Sequence, residues 1–228
     1  MRIIKKAKEA IASGTFQELC IDFLSDTFAL LGGDWTAAAR IMYSAITSAL
    51  SLREHLFWNK FECFLTEVEV DDDFHANFCK VLAEENDDGD NAARIVDTID
   101  KIDTVKKAKY LANASRCVAA GFIDVTTYFR ICHALKSALQ EDLLFLQKSI
   151  MEQEEYEYSD TVQGLINCGL MYQSVFDSNG NDRYAFTPFA GLMDRYAVSY
   201  DDVNRYPMCG SDAPQVPQHL TKLIARYG

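Results

Sequence analysis

Proline is missing from the first 187 residues; all four copies, Pro188, Pro207, Pro214 and Pro217, fall in the last 41. A proline inside a helix removes a hydrogen bond and clashes with the preceding turn, so upstream nothing of this kind interrupts long helices. Long apolar runs are missing too. The best membrane candidate, 27–52, is broken by Asp34 and Arg40 and leaves 12 uncharged residues from Ile41 to Leu52, short of the ~20 that span a bilayer. It reads as a buried helix.

Basic residues are scarce, with 22 Lys and Arg against 34 Asp and Glu and a formal net charge of −12. Sequence-independent affinity for nucleic acid comes from neutralised phosphates, which this balance opposes. No Cys-x-x-Cys, His-Glu-x-x-His, Gly-x-Gly-x-x-Gly or Walker loop occurs, so the usual signatures of structural zinc, zinc hydrolysis and phosphate binding are absent. The seven cysteines are odd in number and irregularly spaced, and no apolar leader core follows Arg2, Lys5, Lys6 and Lys8. Reduced thiols and a cytoplasmic location are the expectation.

What is present is an ordinary globular composition, 49% apolar and 25% charged over 228 residues, enough for a core without disulfide or metal staples. Apolar spacing places helices near 2–12, 15–31, 34–66, 73–85, 91–100, 104–119 and 124–152, the third with a possible split at Ser51. Asp34 can cap the third helix. Asp103-Thr104 can cap the sixth, which stops at Gly121. Tyr128, Ile131, Cys132, Leu135, Leu139, Leu143 and Leu146 form one stripe on the last, so 104–150 is expected to be an antiparallel helical hairpin.

The C-terminal third changes character. Ser159 or Asp160 can cap a short helix, TVQGLINC, followed by Gly169-Leu170. Met171–Phe176 and Arg183–Phe186 are β-prone around a 177–182 turn whose Asn-Gly favours a tight hairpin. Thr187 and Pro188 open another helix. This order, in GLINCGLM…RYAFTPFAGLMDRYA, resembles a winged helix-turn-helix. The fold expected is mainly α: a helical bundle at 1–152, a winged-helix-like module with one β-hairpin at 153–197, and a tail at 198–228. A second resemblance, carried by IDKIDTVKKAKYLANASRCVAAGFIDVTTYFRICHALKSALQEDLLFLQ, is to a loosely defined group of uncharacterised bacterial helical proteins with a winged-helix-like end. It implies no activity for any residue here.

The charge is concentrated. Residues 67–103 hold thirteen acids against Lys80, Arg94 and Lys101. Solvated loops and helix N-termini account for such carboxylates; a docking surface for a basic partner is the functional alternative. On that alternative Asp71, Asp72, Asp73, Asp87, Asp88 and Asp90 are the candidate interaction residues. His75 and Cys79 share a helix face at i, i+4 but lack two further metal ligands. Cys132 and His133 are adjacent and point apart. DDGDN and DSNGND fail as EF-hand loops, because Ile95 or Pro188 falls where the bidentate Glu belongs.

The sequence therefore points to a non-enzymatic interaction or regulatory protein with no cofactor, no metal and no catalytic residue. Its expected partner is a protein with a basic surface or a second copy of the chain. The alternatives are a winged-helix DNA-binding transcriptional regulator and a hydrolase with a site in Trp35–Phe64. Against DNA, TVQGLINC contains no Lys or Arg.

Overall fold

The computed structural model describes residues 17–18, 20–21, 24, 52–68, 77–78, 91–152, 154–176 and 180–201. These are mainly helical, with one two-stranded antiparallel hairpin. The chain divides into two compact units, Met1–Val125 and Thr126–Gly228. The expected helices at 2–12 and 34–51, and most of 15–31 and 73–85, lie outside the described residues.

In the first unit, α1 (Leu52–Val68) is free of Gly and Pro and repeats apolar residues at helical spacing. Phe57, Trp58, Phe61, Phe64, Leu65 and Val68 are buried, and the Phe57 and Phe61 rings stack at 5.8 Å. Each such side chain removed from water contributes about 1.5–3 kcal/mol. The helix α2 (Asn91–Lys101) buries Ala92, Ile95, Val96 and Ile99 and carries the Lys101–Asp97 ion pair at 2.7 Å. The Thr104 hydroxyl accepts from the Lys107 amide and starts α3 (Val105–Ala119), as its position after Asp103 predicts. Alanines and Ser115 keep α3 slim, and it packs along α1.

The α3 helix stops where its glycine predicts. Gly121 has φ +74°, its amide donates to the Val118 carbonyl at 3.1 Å, and Phe122 donates to Cys117 at 2.9 Å. These are the two bonds of a Schellman stop, which favours glycine at the left-handed position.

In the second unit the expected single helix over 124–152 is two helices, α4 (Val125–Ser137) and α5 (Gln140–Ser149). Leu139 adopts extended backbone and is 59% exposed, so it leaves the buried stripe that Leu135, Leu143 and Leu146 keep. Two local features favour the break. The Ser137 hydroxyl donates back to the His133 carbonyl, a bond that competes with helix continuation. Glu141 and Asp142 then stand in the first turn of α5, where carboxylates stabilise a helix start.

Ser159 caps α6 (Asp160–Asn167) by accepting from the Val162 amide. A second Schellman stop ends it: Gly169 has φ +73°, and the Gly169 and Leu170 amides donate to Ile166 and Leu165. Strands β1 (Met171–Phe176) and β2 (Asp182–Phe186) pair from Met171↔Phe186 to Phe176↔Asp182, with a register shift between Gln173 and Phe176. The expected tight turn over 177–182 lies in part outside the described residues. Thr187 then accepts from the Ala190 amide to cap α7 (Pro188–Met193) and donates to the Gly169 carbonyl at 2.9 Å. That bond ties the start of α7 to the end of α6.

Two further features add to the expected elements. Tyr156 forms an antiparallel bridge with Tyr184, exchanging amide bonds of 2.8 and 3.0 Å, and packs edge-on against Phe145 and Phe186. After α7 the chain widens into a π-helical turn, Asp194–Val198. The Ser199 amide bonds the Asp194 carbonyl, its hydroxyl bonds the buried Asp194 carboxylate at 2.7 Å, and Gln147 reaches that hydroxyl at 3.2 Å.

Candidate functional site

The six aspartates singled out by charge, Asp71, Asp72, Asp73, Asp87, Asp88 and Asp90, lie outside the described residues. The described acids of the same stretch have partners. Glu67 lies 3.9 Å from Lys109 and 4.0 Å from Arg116, and its backbone carbonyl accepts from Arg116. Asp97 pairs with Lys101, Asp100 with Arg53 at 3.0 Å, and Asp103 with Lys107 at 2.7 Å. Arg53, Lys107, Lys109 and Arg116 all fall outside 67–103, so counting only the local bases overstates the free charge.

The buried Lys60 joins this polar seam from α1. Its ammonium donates to the Asp100 and Ile102 carbonyls at 2.8 Å each, satisfying groups at the C-terminal end of α2 that have no partner within the helix. Burial pushes its pKa below the usual lysine value, while the Asp100 and Asp103 carboxylates oppose that shift.

Among the described residues no three His, Cys, Asp or Glu side chains cluster closely enough to hold a metal ion. Cys20, Cys63, Cys117, Cys132 and Cys168 are free thiols. Burial raises the pKa of Cys20 and Cys63, disfavouring the thiolate that a nucleophile needs. Cys132 is buried and His133 exposed, as their adjacency on a helix requires.

In the second unit α6 buries Val162 and Leu165 and exposes Asp160 and Asn167. The Asp142 carboxylate lies against Gly164 on this helix. Arg183 is the only basic residue from 154 to 184, against six acids, and it is bound to Glu157 at 2.9 Å.

A groove of about 730 Å³ in this unit is lined by Glu157, Tyr158, Gly180, Asn181, Asp182 and Tyr184. The Tyr156–Tyr184 bridge sets its geometry by holding 156–158 beside β2, with Tyr158 and Tyr184 ring centroids 6.1 Å apart and tilted 56°. The Asp182 carboxylate accepts from Gln173 at 2.7 Å. Lost solvent first, and then the Asp182 charge, raise the Tyr184 hydroxyl pKa. Tyr158 is 59% exposed. Sequence reasoning missed this site, although the alternation in Glu155-Tyr156-Glu157-Tyr158 is a strand-like signal that could have found it.

No family model, curated protein or solved structure matches this chain.

Proposed function

We propose that the chain is a non-enzymatic interaction or regulatory protein of the bacterial cytoplasm whose second unit is winged-helix-like and serves protein contacts. One observation carries this reading: the helix before the wing, α6, has no basic side chain, and the only cation of the neighbouring hairpin, Arg183, is held by Glu157. A helix that enters a DNA groove needs cations for the phosphates on either side. Here Glu154, Glu155, Glu157 and Asp160 are exposed instead. The order α6, Gly-Leu stop, hairpin and Thr-Pro start resembles that of a winged helix, and this resemblance is what favours the DNA-binding alternative.

Charge complementarity favours a partner with a basic surface, or the basic residues Arg2, Lys5, Lys6 and Lys8 of a second copy. Asp71, Asp72, Asp73, Asp87, Asp88 and Asp90 belong to this proposal on their charge alone. Capture of the full chain from its own cells, followed by cross-linking and mass spectrometry, tests the reading. Cross-links between a basic protein segment and residues 154–184 are expected. Retention of nucleic acid alone, lost on nuclease treatment, contradicts it.

A further inference from the structure

The geometry points to the groove between 156–158 and the start of β2 as a receptor for one cationic side chain, arginine or lysine, on an extended segment of a protein partner. The inference rests on the protein-interaction reading and adds the contact chemistry. The exposed Tyr158 ring lies against the buried Tyr184 ring, centroids 6.1 Å apart, and a cation within about 6 Å of the Tyr158 ring face is attracted by the ring's quadrupole. Glu157 and Asp182 also line the groove, so a guanidinium or ammonium on the Tyr158 face also meets carboxylate acceptors.

The molecule already contains a contact of this kind, since the Arg183 guanidinium sits 2.9 Å from the Glu157 carboxylate while the Glu157 side chain remains 81% exposed. Glu157 therefore keeps surface for a second donor. Among the described residues nothing lies within 4 Å of where a Gly180 β-carbon would be, and its φ of +82° disfavours any side chain. The volume of about 730 Å³ admits a long side chain with part of its backbone. The excess of acids over Arg183 in 154–184 disfavours an anionic occupant.

The test titrates the ¹⁵N-labelled full chain with the capped peptide Gly-Ser-Gly-Arg-Gly-Ser-Gly, and separately with the same peptide carrying citrulline, the neutral isostere of arginine. The arginine peptide should produce saturable shifts at the Gly180, Asn181, Asp182 and Tyr158 amides in the millimolar range, and the citrulline peptide none. Asp182→Asn should weaken binding by about fivefold or more, roughly 1 kcal/mol. Tyr158→Ala alters an exposed ring and provides a second variant if Asp182→Asn lowers the melting temperature; it should weaken binding by a similar factor. Equal shifts with both peptides, shifts confined to other residues, or a silent titration overturn the groove. A silent titration alongside a captured protein cross-linked to residues 154–184 removes the groove and leaves the protein-interaction reading. Binding of duplex DNA removes that reading itself.

Discussion

The Asp142 carboxylate occupies the space that a β-carbon on Gly164 would need: an ideal β-carbon there lies 2.5 Å from Oδ2 and 3.3 Å from Cγ of Asp142. Asp142 is 5% exposed, so its side chain has little room to retreat. Gly164 is thus required by packing rather than by backbone, which is helical at this position.

Gly164→Ala should therefore destabilise the protein by about 1–3 kcal/mol despite alanine's higher helix propensity. In an Asp142→Ala background the same substitution should be neutral or stabilising. Urea unfolding of the four proteins checks the cycle, and additive effects would separate the two sites.

Gly121→Val should cost about 1 kcal/mol or more, because a β-branched residue resists the left-handed backbone that φ +74° requires. Gly121→Asn should cost less, since asparagine tolerates that region. Equal losses in urea unfolding would contradict the backbone explanation.

Much of this local structure was legible in the sequence because a cap or stop is a single-residue event. Thr104, Ser159 and Thr187 accept the amide bonds expected of caps, and Gly121 and Gly169 take positive φ. The break at Leu139 was not read, because one leucine stripe fits a continuous helix and a broken one equally well. The site was least legible. Glu157 and Tyr184 line one groove only because Tyr156 bridges β2, and the ion pairs of Asp100, Asp103 and Glu67 draw partners from outside the acidic stretch. The alternation at 155–158 marks a strand but does not name its partner, and pairing across such distances along the chain is not written in any local period.

Lys60→Met should destabilise by about 1–3 kcal/mol through loss of the two carbonyl contacts at the end of α2. Its pH dependence has a definite sign. With the folded pKa below the unfolded 10.5, the unfolded state binds more proton between those two values. Stability attributable to Lys60 therefore rises with pH through that window and levels off above it. Parallel wild-type and Lys60→Met stability curves from pH 8 upward would contradict this.

Replacing Asp71, Asp72 and Asp73 together by Asn should slow association with a basic partner and reduce its salt dependence, because such charges act mainly through encounter rate. Stopped-flow mixing with the captured partner measures it. A rate indifferent to salt and to the triple substitution would mean that these residues serve solubility alone.

An equilibrium titration of labelled random duplex DNA with the full chain decides between the proposed role of the helix–hairpin–helix unit in protein contacts and a role on nucleic acid. No binding is expected at physiological salt at concentrations where ordinary non-specific binders saturate, with dissociation constants of about 10⁻⁴–10⁻⁶ M. A micromolar affinity that falls steeply with added salt would contradict it.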